Sequence, residues 1–190
     1  MCYYWGVRNP MELSHTTSRA WVSSLPYARP AYPDTLIDKV KYFFWHLITP
    51  AYLQVLDLLS YMRILRNQGR QNYLLGKLAP GETVEGFVEY LLKKGFGNHF
   101  LAFKDDGQLV SLRYAPNFKY QYHVRVFNDG EVRGHFEYTP EYRPFKHLKG
   151  DGLEARFDEF VTLLGDKITP VPLSHKDTLK WSLAGFHYHR

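Results

Sequence analysis

The sequence predicts an α+β fold, in which an antiparallel sheet of two β-hairpins is covered on one face by helices and preceded by a helical hairpin. Two segments of alternating side chains, 98–114 and 120–138, each contain a turn that ends in Asp-Gly. Apolar residues recur at helical spacing both before and after these segments. The hydrophobic share of 45% and the charged share of 23% are ordinary for a globular protein.

The N-terminal residues predict an arm followed by a helix. Residues 1–33 follow neither a helical nor a strand period and are interrupted by prolines, so we expect an extended arm. A helix should begin near Asp34, whose carboxylate can cap free backbone amides. Apolar residues then continue at helical spacing as far as Ile48.

A second helix is expected to begin at Thr49-Pro50, because threonine can cap a helix and proline is tolerated at its first position. Gly69 would end it in the left-handed conformation. Residues 34–69 therefore form the predicted helical hairpin. Its broad apolar surface makes residues 34–66 a candidate docking surface for a protein partner.

The predicted core domain spans residues 70–165. It opens with a segment, 73–78, that fits either a short strand or a helical continuation. A helix is predicted over 83–94 and another over 152–164, each with one apolar face. Residues 166–190 contain two prolines and are expected to form an extended tail.

The first predicted hairpin joins strands 98–104 and 108–114 through a three-residue loop closed by Gly107. Counting outward from that loop places His99 opposite Arg113.

The second predicted hairpin joins strands 120–127 and 131–138 through a loop of the same kind, closed by Gly130. Its register collects the valines and tyrosines on one face, because side chains alternate along a strand. We name the other face the polar face. Its cross-strand pairs are Gln121 with Glu137, His123 with His135, and Arg125 with Arg133.

One interpretation of the polar face is a solvated surface with Arg–Glu pairs along the ladder. However, arginine opposite arginine places like charges together, and a bound anion would relieve that repulsion. A second interpretation is therefore an anion site for a phosphate, a carboxylate or nucleic acid. Its candidate residues are Arg113, His123, Arg125, Arg133, His135 and Glu137.

A third interpretation is a metal or catalytic centre on the same face. His123 and His135 could share a divalent metal, with Glu137 or His99 completing the ligand set. Alternatively, His123 could act as a general base polarised by Glu137. No established metal-ligand spacing or catalytic motif supports this chemistry.

The net charge of +5 lies in the N-terminal part, since residues 1–80 hold nine Lys/Arg and four Asp/Glu. That bias favours anionic partners only weakly, because no run of basic residues occurs.

The single cysteine, Cys2, excludes an intramolecular disulfide and fits a reducing, cytoplasmic location. The uncharged stretch 42–56 is too short to cross a bilayer, so no transmembrane span is expected.

We therefore expect a non-enzymatic binding module, without a cofactor, whose polar face holds an anionic small molecule or nucleic acid. A metal-dependent or His-based hydrolytic enzyme using the same face is the first alternative. A structural protein that docks a partner through the helices of residues 34–66 is the second.

Overall fold

The computed structural model describes residues 21–22, 24–61, 72–99, 107–143 and 156–174. Within these ranges the helices are α1 (Leu36–Tyr61), α2 (Val84–Lys93) and α3 (Phe157–Leu164). The strands are β1 (Tyr73–Leu78), β2 (Gln108–Tyr114), β3 (Tyr120–Phe127), β4 (Glu131–Tyr138) and β5 (Ile168–Pro170).

The five strands form one sheet in the order β2-β3-β4-β1-β5, and every neighbouring pair is antiparallel. The predicted α+β class is therefore confirmed. The predicted register of the second hairpin is confirmed as well, with His123 opposite His135 and Arg125 opposite Arg133. Gly130 closes the loop with a φ of 80°, a conformation that glycine adopts without a steric penalty.

The sheet agrees with two hairpins joined edge to edge, except for the predicted partner of Arg113. β2 pairs directly with β3, and Gly97 rather than His99 lies opposite Arg113. Residues 100–104 of the predicted first strand lie outside the described residues. The ambiguous segment 73–78 is a strand, and residues 168–170 of the expected tail form an edge strand beside it.

Helix α1 continues through Pro50, so the prediction of a break at Thr49-Pro50 is wrong. The two halves are tied together by packing, because the rings of Trp45 and Tyr52 lie 5.2 Å apart on either side of the proline. The cap is also displaced by one residue. The hydroxyl of Thr35, not the carboxylate of Asp34, accepts the hydrogen bond from the amide of Asp38.

The apolar face of the sheet packs against α2 and α3 and forms the core. Phe87, Leu91, Phe160 and Leu164 of the two helices are fully buried there. Gly134 allows the close approach, since a Cβ atom at this position would lie 2.5 Å from the Phe160 ring. Burial of each large apolar side chain contributes about 1.5–3 kcal/mol. This packing leaves the polar face on the opposite side of the sheet.

None of the helices in the described ranges combines the length and apolar character required to cross a membrane.

Candidate functional site

The polar face is buried, so its interpretation as a solvated surface is wrong. The described residues that form it are all less than a tenth exposed. The exposed fractions are His99 3%, Arg113 1%, Gln121 0%, His123 3%, Arg125 1%, Arg133 5%, His135 2% and Glu137 1%. Burying charged and polar groups costs free energy unless they are paired and hydrogen-bonded. The contacts among these side chains therefore decide what the face can do.

Arg113 lies at the centre of a hydrogen-bond network at one end of the polar face. Its guanidinium binds the carboxylate of Glu141 at 3.0 Å and donates to Oε1 of Gln121 at 3.0 Å. It also donates to Nε2 of His99 at 2.8 Å and to the carbonyl oxygen of Ala28 at 2.9 Å. Arg113 is therefore held by a carboxylate of its own chain.

Arg133 is held in a similar way at the other end of the face. Its guanidinium binds Glu131 through two nitrogens, at 2.7 and 2.9 Å. Arg125 lies between Arg133 on β4 and Ser111 on β2. The pairing of Arg125 with Arg133 suggested a bound anion, but the charge of Arg133 is already balanced by Glu131 of the same chain.

Two histidines and a glutamate meet at the middle of the polar face. Oε1 of Glu137 lies 3.3 Å from Nε2 of His123 and 3.3 Å from Nε2 of His135. The imidazole rings are stacked, with centroids 4.9 Å apart and planes within 9°. One ligand atom from each of the three residues falls within 4.8 Å of the others. We name these three residues the His–Glu triad.

The neighbours of the triad define its tautomers. Nδ1 of His135 lies 2.7 Å from Oδ1 of Asn72, which can only accept, so this nitrogen carries the proton. The amide of Gln121 donates to Nε2 of His123 at 2.8 Å and to Oε1 of Glu137 at 2.9 Å. Nε2 of His123 therefore accepts from Gln121, and in the neutral ring Nε2 of His135 is the unprotonated nitrogen, 3.3 Å from the glutamate oxygen.

The structure places the predicted site residues in separate groups. His123, His135 and Glu137 meet, whereas Arg113 and Arg133 each bind a glutamate at opposite ends. His99, the fourth predicted metal ligand, has its ring 5.6 Å from that of His123, but its Nε2 accepts from Arg113. It therefore lies beside the triad and holds the arginine.

Four side chains that contact the predicted site residues were not themselves predicted: Asn72, Gln121, Glu131 and Glu141. Gln121 had a signal, because it alternates onto the same face of β3 as His123. Asn72 and Glu141 lie just outside β1 and β4, where no periodic pattern points to a function. They reach the face through the tertiary fold.

A cavity of about 370 Å³ lies beside the Arg113 end of the polar face. Arg113 and Glu141 line it, together with residues 27–30 and one side of α1. Its wall combines three aromatic rings, those of Tyr27, Tyr42 and Trp45, with the basic side chains of Arg29 and His46.

Comparison with known proteins gives no relative: neither the protein-family models, nor the curated proteins, nor the solved structures include a match to this chain. The geometry of the site therefore carries the functional argument.

Proposed function

We propose that this protein is a metal-binding module and that the His–Glu triad holds a divalent cation such as Zn²⁺. The observation that supports the proposal is that two imidazole nitrogens and a carboxylate oxygen lie within 4.8 Å of one another, and that Asn72 fixes the tautomer of His135 so that its Nε2 can donate an electron pair. Nitrogen and oxygen ligands of this kind are typical of zinc and related transition metals.

The two distances that involve Glu137 agree with such a site. Ligand atoms about 2.0 Å from a tetrahedral zinc are separated by about 3.3 Å. Both distances from Oε1 of Glu137 to the histidine nitrogens are 3.3 Å. A metal would take over the lone pair of His123 that now accepts from Gln121, while the hydrogen bond from Gln121 to Glu137 can persist.

Asn72 provides the second layer of support. A histidine that binds a metal usually donates its other ring N–H to an oxygen, which fixes the tautomer and the ring orientation. His135 makes this contact with Oδ1 of Asn72 at 2.7 Å.

The burial of the triad favours binding over hydrolysis. None of the three residues is more than 3% exposed, and a hydrolytic metal needs an open position that a substrate can reach. We therefore propose that the metal stabilises the fold or is sequestered by it, and we rank the hydrolytic enzyme below this function.

The test is thermal unfolding of the metal-free protein with and without added Zn²⁺. A ligand that binds only the native state stabilises it by about 4 kcal/mol at a thousand times its Kd, so the melting temperature should rise. His135→Ala should abolish the rise, whereas His46→Ala, which removes an exposed histidine of α1, should retain it.

Asn72→Ala keeps all three ligands, so it tests the site even where His135→Ala impairs folding. We expect it to weaken zinc binding by about 10- to 100-fold. An equal rise in the wild type and the His135 variant would overturn the proposal, as would the absence of any rise.

The cavity supports a second candidate function, the binding of an anionic small molecule or nucleic acid. Arg113 is the member of the predicted anion set that lines the cavity, and Arg29 and His46 add basic groups beside aromatic rings. Such a wall suits a planar anion, which can stack on the rings while its charge meets a guanidinium. Glu141 opposes this function because it already occupies the Arg113 guanidinium.

Inorganic phosphate and a short single-stranded oligonucleotide are the probes for this candidate. If the cavity binds anions, both probes should raise the melting temperature of the wild type. Arg29→Ala should reduce that rise. Lys93→Ala is the control variant, because it also removes one positive charge but at an exposed position of α2. Equal rises in the two variants would contradict a cavity site. If the anion binds the polar face instead, the double variant Arg125→Ala with Arg133→Ala should abolish the rise.

The cytoplasmic location and a protein partner for residues 34–66 remain proposals. A reducing compartment agrees with the single cysteine of the chain.

A further inference from the structure

Helix α1 exposes a broad apolar stripe on the side that faces away from the protein. Asp38 and Trp45, on the inner side, are buried. On the outer side, Leu36 is 78% exposed, while Phe43 and Leu47 are each 65% exposed. Helices at the surface of a globular protein normally show the opposite arrangement. Among the side chains of α1 that the structure describes, the outer stripe consists of Leu36, Ile37, Val40, Phe43, Phe44, Leu47, Ile48, Val55 and Leu58.

The stripe is larger than a monomer ordinarily exposes. Its nine side chains present on the order of 1,000 Å² of apolar surface, whereas the largest patch on a typical monomer covers about 300–600 Å². A stable protein interface buries about 800 Å² on each partner. The stripe alone therefore supplies the area that one side of such an interface needs.

We propose that the stripe is covered by a second copy of this chain, in a two-fold dimer that pairs α1 with α1 in antiparallel orientation. This inference concerns a different surface from the His–Glu triad and does not depend on metal binding. Two-fold interfaces bring the same patch of both subunits together, and an apolar stripe along a helix of about 39 Å is self-complementary in this way.

The charged positions along the helix agree with an antiparallel pair. Lys39 lies on one flank of the stripe, and position 57, an aspartate, follows it by about five helical turns on the same flank. A two-fold axis near Ile48 would place position 39 of one copy opposite position 57 of the other. Both ends of the interface would then join unlike charges.

The same charges disfavour a lipid surface as the occupant. Helices that lie on membranes combine the apolar side with a face rich in lysine and arginine. Helix α1 has two basic and two acidic residues: Lys39, Lys41, Asp38 and Asp57. Lys41 binds Asp38 at 2.9 Å on the side that faces the protein.

Sedimentation equilibrium of the full untagged chain over a range of concentrations tests the dimer. We expect the wild type to assemble as a dimer and the double variant Phe43→Glu with Leu47→Glu to weaken the dimer by roughly a hundredfold or more. Glu85→Lys, an exposed charge reversal on α2, is the control and should leave the dimer unchanged.

A charge exchange distinguishes loss of the interface from loss of folding. Lys39→Glu and Asp57→Lys should each weaken the dimer by roughly two- to tenfold, and the two together should restore it. A wild type that stays monomeric at every concentration would overturn the proposal. The same holds if the monomer binds phosphatidylcholine vesicles instead. Dimerisation that is insensitive to Phe43→Glu and to the charge changes would overturn it as well.

Discussion

At the scale of single residues, the polar face is held together by charges that compensate one another inside the protein. Arg113 and Glu141 form a buried pair, and Arg133 forms a partly buried pair with Glu131 at the other end. Such pairs contribute little net stability, because desolvation offsets their attraction, but removing one partner leaves an uncompensated buried charge. The triad depends on this arrangement, since Arg113 donates to Oε1 of Gln121 and so orients the amide that binds Glu137.

Arg113→Met should therefore lower the free energy of unfolding by about 3–5 kcal/mol, because Glu141 loses its buried partner. The double variant Arg113→Met with Glu141→Leu should recover most of that loss. Urea denaturation measures both. If the double variant is no more stable than Arg113→Met, the loss comes from the other contacts of Arg113 rather than from the unpaired carboxylate.

Tyr122, on the apolar face, should make the free energy of unfolding decrease at high pH. Burial raises the pKa of its hydroxyl to about 12 from an ordinary 10.0. Because the folded pKa lies above the unfolded pKa, this stability is fully present below about pH 10 and is lost as the pH rises through 12. The two-unit difference corresponds to about 2–3 kcal/mol.

Unfolding free energies measured between pH 8 and pH 12 should therefore fall less steeply in Tyr122→Phe than in the wild type. The phenylalanine keeps the ring packing against Phe160 and removes the ionisable hydroxyl. Parallel curves for the two proteins would show that Tyr122 ionises as easily in the native state as in the unfolded chain.

At the scale of the elements, α1 departs furthest from its sequence pattern. Thr49-Pro50 has the chemistry of a helix start, yet the helix passes through it. The sequence pattern indicates only local preferences. The contact between Trp45 and Tyr52 spans the proline and favours one continuous helix. The hydroxyl of Thr49 donates back to the carbonyl of Trp45 in the turn before the proline, a contact that lets a helix bend rather than end.

Pro50→Ala should consequently stabilise the protein, because alanine restores a backbone donor inside the helix. Proline is about 3 kcal/mol less favourable than alanine in a helix interior, and we expect part of that difference to appear as an increase in unfolding free energy and helical circular dichroism. Ala51→Gly is the control in the opposite direction, with an expected loss of about 1 kcal/mol. Destabilisation by Pro50→Ala would instead support two helices that meet at the proline.

At the scale of the whole molecule, the sequence predicted the class and the central hairpin but not the environment of the site. The register of β3 and β4 was predictable because a three-residue loop and strict alternation both constrain it. The burial of His123 and His135 was not, since alternation shows which residues share a face and not whether that face is covered. Glu141 and Asn72 reach the site through the tertiary fold, and β5 is too short to show a period.

The metal content of the untagged protein, compared between the wild type and His123→Ala, shows directly whether the triad holds a metal ion. The chain must carry no polyhistidine tag, because a tag binds metal by itself. A triad that holds a divalent cation predicts nearly one metal ion per chain in the wild type after dialysis and a clear loss in the variant. A wild type without metal, even after incubation with Zn²⁺, would contradict the claim and leave the triad as a buried hydrogen-bond network.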